Sequence, residues 1–152
     1  MAAYRASVAW SLKEGEDFAA GRYSRGHVLN FEGREFPGTA SPHVVGNKYA
    51  VAGAVDPEQM LVGSLSACHM LTFLHEARKA GFVVLRYRDD AVGVMEQNAE
   101  GRLAVTRVTL RPQIAWAGDP PPRSQRDQLH HLAHEECYIA NSVKTEVVVE
   151  ES

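Results

Sequence analysis

Residues 56–82, DPEQMLVGSLSACHMLTFLHEARKAGF, constrain the rest of the chain more than any other stretch. Asp56 can accept from the free amides of a first helical turn, Pro57 suits the first helical position, and Gln59 completes a D-x-x-Q cap. Gly81 supplies a left-handed stop. Between them, Met60 to Leu74 is apolar or small on nearly every side, with Gly63, Ser64 and Ser66 set among Leu61, Val62, Leu65 and Phe73. A helix that is apolar all round is buried, so other elements must cover this one. Its apolar part, about fifteen residues, falls short of the roughly 20 that cross a bilayer. The expectation is a buried core helix and no membrane span.

The covering elements are legible on both sides. Residues 4–12 alternate as a first strand, and HVLNFEGREF reads as a hairpin turning at Glu32-Gly33. Residues 37–55 are irregular and predict a long loop. After the helix, residues 83–97 and 102–116 predict two long strands joined by the turn NAEG. GDPPPR marks a break. A second helix then opens at Ser124, with Leu129, Leu132, Ala133 and Cys137 at helical spacing and Asn141 as its stop. The chain closes on VKTEVVV, where Val143, Thr145, Val147 and Val149 share one face of a strand. Strand runs separated by two helices, without βαβ alternation, predict an α+β fold with antiparallel sheets. The 152 residues suit a single domain, 1–152, with its own core.

Charge and cysteine content narrow the function. A net charge of −3 with no basic block argues against a nucleic-acid binder. The N-terminus lacks the basic start and apolar run of a signal peptide. Two cysteines in that setting point to a reducing cytoplasm, where cysteine pairs tend to be catalytic or redox-sensing.

Four groups can carry chemistry. Cys68 and Cys137 are either two unrelated core thiols or a reactive pair, and a reactive thiolate needs positive charge beside it. Arg22 and Arg25, in GRYSRGH, are either that charge or a solvated loop. Glu58, in the first turn of the central helix, needs no function, since an acid there complements the dipole. Glu58 and Cys68 lie ten residues apart, about 15 Å along one helix, so they cannot touch within it. If both serve one site, Glu58 comes from a second copy packed against the first, or the helix breaks. His131, His134 and Cys137 are possible zinc ligands, but they diverge around the helix and need further ligands from elsewhere. His69, beside Cys68, points about 100° away from it, which makes a weak Cys-His pair.

DPEQMLVGSLSACHMLTFLHEARKAGF followed by AHEECYIANSVKTEV resembles the OsmC/Ohr family of osmotically inducible and organic hydroperoxide resistance proteins. The matching pieces are the D-P-E start, a cysteine ten positions after that Glu, the A-G-F end, and an A-H-E-x-C motif followed closely by Asn. The resemblance implies an OsmC-like, intertwined α+β homodimer with two central helices buried among sheets and active sites at the dimer interface. It makes Cys68 the peroxidatic cysteine and Cys137 the resolving one, with Glu58 pairing an arginine beside the reactive thiolate. Arg25 fits the placement in the hydroperoxide resistance branch, and Arg22 is the reserve. The OsmC branch takes its arginine from the loop before the helix, where this chain offers only Lys48. His69 stands where an aromatic often follows the first cysteine, and Tyr138 where proline often follows the second, which marks a distinct subfamily.

The activity implied is reduction of organic hydroperoxides, and of hydrogen peroxide beside them, through a Cys68 sulfenate resolved by Cys137. No bound metal, flavin or other cofactor is required, and the partner expected is an external dithiol, a dihydrolipoyl protein in this family. Two other readings remain: a non-enzymatic stress-related binding protein on the same fold, and a Cys-dependent hydrolase using His69 or His134.

Overall fold

Residues 1–151 are described by a computed structural model, which divides the chain into two compact units at Met60/Leu61. The first unit is built on an antiparallel sheet of β1 (Ser7–Ala9), β2 (His27–Phe31) and β3 (Arg34–Gly38), in that order. Leu29 pairs with Val8 on one side and Phe36 on the other, and its side chain is buried. Glu32 and Gly33 turn the hairpin at φ 51° and 87°, the two positive values that a two-residue turn between right-twisted strands requires. The expected first strand, 4–12, is only three residues long, because the chain leaves the sheet at Trp10 to make a turn-rich excursion through residues 13–26. The loop expected over 37–55 contains a short helix, α1 (Pro42–Val45), whose first turn is capped by the Ser41 hydroxyl accepting from the amide of His43 at 3.3 Å.

The central helix, α2 (Pro57–Lys79), begins as its cap sequence requires. Gln59 N donates to Asp56 Oδ1 at 2.7 Å and Asp56 N donates to Gln59 Oε1 at 3.2 Å, a reciprocal capping box. It ends as expected too. Gly81 has φ 84°, Phe82 N donates to the Ala77 carbonyl at 2.9 Å, and Gly81 N donates to that of Arg78 at 3.1 Å.

The second unit contains the body of α2, two sheets and α3 (Arg123–Glu135). Expected to be enclosed on all sides, α2 is enclosed on one side in the single chain. Leu65, His69, Phe73, Glu76 and Ala77 are buried at helical spacing, whereas Gly63 and Ala67 are exposed and Leu71 is 64% exposed. Phe73 and Ala77 pack on Leu129 and Ala133 of α3, with Tyr87, Ile114 and Trp116 closing the cluster. Leu65 packs separately on Val108 and Leu110.

Each of the two long strand runs is cut in two. Residues 83–97 give β4 (Val84–Asp89) and β5 (Val92–Gln97), and 102–116 give β6 (Leu103–Leu110) and β7 (Pro112–Trp116). β4 pairs with β7 in a two-stranded sheet, while β5, β6 and β8 (Glu146–Val149) form another. The break turns on one side chain, Asp89. Asp89 turns its carboxylate back to accept from Arg111 N at 2.6 Å and from Ser66 Oγ on α2 at 2.5 Å, replacing ladder bonds where Pro112 has no N–H to give. The sheets are antiparallel except for β8, which runs parallel to β6, so the all-antiparallel expectation holds for every pair but this one. β8 is shorter than the predicted 143–149 and starts only at Glu146. No helix among the described residues is long and apolar enough to cross a membrane.

Candidate active site

In the second unit the two cysteines come together across the α2–α3 packing. Cys68 is half-buried in the middle of α2, and Cys137 is fully buried. The second helix was expected to run from Ser124 to Asn141 with Cys137 inside it. It instead stops at Glu135, and its N-cap is Pro122, which offers no side-chain cap. Asn141 still ends it, from outside: its Nδ2 donates to the Glu135 carbonyl at 2.9 Å, so chain reversal through a 3-10 turn at Ala140–Ser142 satisfies the helix end. Cys137 is held inside this reversal. Its carbonyl accepts from Asn141 N at 3.0 Å, and its sulfur accepts from Ala140 N at 3.4 Å.

The two thiols are free and interact, and their surroundings are unequal. Burial first, and the neighbouring Cys68 sulfur second, push the Cys137 thiol above its ordinary range, against a smaller opposing pull from the Ala140 amide. Cys137 therefore keeps its proton at neutral pH. Cys68, the more accessible partner, is the one placed to meet a reactant.

In the first unit, Arg25 and Glu58 line a single cavity of about 440 Å³ together with Val8, Trp10, Phe18 and Tyr23. The Arg25 guanidinium carbon lies 3.6 Å above the Tyr23 ring, and the Arg25 amide donates to the Tyr49 carbonyl at 2.9 Å. Glu58 Oε2 is buried without a hydrogen-bond partner, and no ion pair joins Glu58 to Arg25 within 4.0 Å. That oxygen is free to accept a hydrogen bond. Arg22 is committed elsewhere: its guanidinium is paired with Asp17 at 2.5 Å at the surface. Lys48 is exposed, its ammonium 5.4 Å from the Tyr49 ring centre.

The histidines form a cluster that the sequence does not announce. His69 is buried, and its Nε2 lies 3.0 Å from Nδ1 of His130, with the two rings stacked 9° from parallel. Burial foremost, then the neighbouring His130 and His134, lower the His69 pKa to about 3; burial lowers that of His130 to about 4. His69 Nδ1 and His134 Nδ1 have no partner. His69 is thus spoken for by His130 and is not set as a base on Cys68. His131 turns to Glu135 at 3.5 Å, on the exposed side of α3, away from the buried Cys137. Among the described residues no three His, Cys, Asp or Glu side chains are grouped to hold a metal ion.

Two features of the site lie outside any sequence motif. One is the His69–His130 pair, whose members are 61 residues apart. The other is the aromatic wall of Trp10, Phe18 and Tyr23, whose only signal was three large rings in an otherwise polar stretch.

Against known proteins, the family described as OsmC-like protein matches residues 50–152, a span that holds Glu58, Cys68 and Cys137 but not Arg25. An OsmC-like protein of unknown function from Vibrio cholerae is 45% identical, with both chains covered in full and a TM-score of 0.94. An organic hydroperoxide resistance protein from Elizabethkingia anophelis is 16% identical, covering 99% of this chain and 94% of its own, with a TM-score of 0.71. The organic hydroperoxide resistance protein OhrB of Bacillus subtilis is 17% identical over 98% of both chains, with a TM-score of 0.66. At those identities the last two show the fold alone. No curated protein sequence matches the chain.

Proposed function

The chain belongs to the OsmC-like family, and from that premise we propose that it is a cysteine-based reductase of organic hydroperoxides. The observation that carries this reading is the pairing of an accessible Cys68 with a buried, proton-holding Cys137. The Cys68 thiolate attacks the distal oxygen of the hydroperoxide. The O–O bond breaks, the alkoxide leaves as alcohol after taking a proton, and Cys68 becomes a sulfenic acid. The Cys137 sulfur then displaces that hydroxyl, releasing water and closing an intramolecular disulfide. An external dithiol, of the dihydrolipoyl kind, reduces it and is itself oxidised. Solved structures named as organic hydroperoxide resistance proteins share the fold.

Arg25 and Glu58 complete the site from a second copy of the chain. Ten residues of continuous helix separate Glu58 from Cys68, about 15 Å of rise, so a carboxylate acting at the thiolate is supplied by another molecule. The exposed apolar face of α2 at Gly63, Ala67 and Leu71 supports such a pairing, because it costs free energy in water and small residues permit close helix approach. In the assembled site the Arg25 guanidinium stabilises the thiolate and the departing oxygen, and the unpartnered Glu58 Oε2 accepts from that guanidinium.

As the base of a hydrolase His69 is disfavoured, because its Nε2 is engaged by His130, and His134 is the residue such a reading retains. The test is a coupled peroxidase assay with cumene hydroperoxide and a lipoamide-based reductant. Cys68→Ala abolishes turnover, while Cys137→Ala permits one turnover and then stalls. Full activity in Cys68→Ala overturns the proposal.

A further inference from the structure

We propose that His27 is the acid–base partner of Cys68, taking the thiol proton on its Nε2 and returning it to the departing peroxide oxygen; this deepens the reductase reading above and rests on it. His27 opens β2 two residues past Arg25, the spacing that puts side chains on one face of a strand. Both line the cavity that holds Glu58, so the copy that brings Arg25 and Glu58 to a Cys68 brings this imidazole with them. The backbone chooses which ring nitrogen is free. Nδ1 lies 2.9 Å from the carbonyl oxygen of Arg25. A carbonyl can only accept, so Nδ1 carries the proton and Nε2 keeps its lone pair. The seat of the ring is equally specific. His27 stands opposite Gly38 in the β2–β3 register. A Cβ at residue 38 would overlap Nε2 and lie 2.6 Å from Cδ2. Gly38 does not adopt a positive φ, so glycine serves there to clear space for the imidazole and not to bend the chain.

The reaction needs such a group, because Arg25 cannot move a proton: a guanidinium stays charged throughout. Of the titratable side chains lining the cavity, Tyr23 is a phenol, which is not a base at neutral pH, and Glu58 is the acceptor for the guanidinium. That leaves His27. One proton serves the whole step. Nε2 takes it from the Cys68 thiol, giving thiolate and imidazolium. The thiolate attacks the distal oxygen, and the O–O bond breaks with both electrons going to the proximal oxygen. The imidazolium N–H then gives its proton to that alkoxide. Cys68 ends as a sulfenic acid carrying the hydroperoxide's own hydrogen, the alkoxide as alcohol, and His27 as neutral imidazole. While it is charged, the imidazolium shares the cavity with the Glu58 carboxylate, which favours it, and with the Arg25 cation, which opposes it.

The experiment compares two oxidants on the full chain: tert-butyl hydroperoxide, whose alkoxide must be protonated to leave, and peracetic acid, whose carboxylate leaves without a proton. His27→Gln lowers kcat/KM for tert-butyl hydroperoxide by about 10²-fold, the scale of one lost acid–base group. For peracetic acid the loss is only about 10-fold, the part due to thiolate formation, since an unassisted cysteine is a few per cent thiolate at pH 7. Alkylation of Cys68 by iodoacetamide at pH 7, read on its peptide, slows by the same factor of about 10. Gly38→Ala keeps the imidazole but displaces it, gives the same oxidant-selective loss, and serves as the test if His27→Gln does not fold. Equal losses with the two oxidants in a folded His27→Gln variant, or no loss, overturn the assignment even if peroxide is reduced. A wild type that reduces neither oxidant but alkylates at Cys68 in a His27-dependent way sustains the Cys68–His27 proton transfer and removes the reductase reading instead.

Discussion

Lowering the pH from 7 to 5 strips stability from this fold through the His69–His130 pair. Both imidazoles are held neutral in the folded chain, with pKa values of about 3 and about 4, chiefly because they are buried. Unfolded, each takes up its proton near pH 6.5. Their folded pKa values are the lower ones, so the unfolded chain binds more protons below pH 6.5; the stabilisation is full above that pH and is lost as pH falls towards 3. At pH 5 each histidine costs roughly 2 kcal/mol relative to pH 7, and the pair roughly 3–4 kcal/mol, out of the 5–15 kcal/mol typical of a domain. The groups facing them temper this only partly: Asp127 favours the charged form of His130, Arg126 and Arg123 oppose it, and the Glu151 carboxylate lies 3.8 Å from His130 Nε2. Urea unfolding at a fixed protein concentration, followed by fluorescence of Trp116 packed against Phe73, measures the loss. In His69→Gln/His130→Gln, which keeps polar side chains but removes the titration, the difference between pH 7 and pH 5 shrinks by most of that amount. An equal pH dependence in wild type and double variant shows that the histidine pair is not its source.

Other perturbations separate the structural from the chemical roles. Phe73→Ala, which empties the centre of the α2–α3 cluster, destabilises by about 3–5 kcal/mol in urea titration. Asp56→Ala removes one half of the capping box at α2 and costs about 1 kcal/mol. Arg25→Gln lowers kcat/KM for cumene hydroperoxide by about 10²-fold, the scale of one lost electrostatic stabiliser. Arg22→Gln leaves it within a factor of about two, because that guanidinium is already held by Asp17 at the surface.

Local signals were readable in the sequence and long-range ones were not. The start and stop of α2 follow from Asp56, Gln59 and Gly81, each acting within a few residues of itself. The hairpin at Glu32-Gly33 is local in the same way. The division of the long strand runs was illegible, because it depends on Asp89 finding Arg111 N and Ser66 Oγ, both more than 20 residues away. The parallel docking of β8 on β6 is likewise a contact between distant segments. α3 ends earlier than its apolar spacing suggests, since Asn141 caps the helix from beyond the turn. At the site, motif spacing singled out Cys68 and Cys137, and the fold brings them together. The resemblance favoured Arg25 over Arg22, while the pairing of Arg22 with Asp17 and the laying of Arg25 on Tyr23 were not legible, since both depend on how the loop between β1 and β2 folds.

Counting thiols after a single dose of peroxide decides whether the two cysteines act as a pair. Reduced protein, which carries two free cysteines, is treated with one equivalent of cumene hydroperoxide per chain, alkylated, and weighed by intact mass spectrometry before and after digestion. Both thiols disappear together within one chain, and the Cys68 peptide is found joined to the Cys137 peptide. Two alkylated thiols after exposure, or oxidation confined to Cys137, contradicts it.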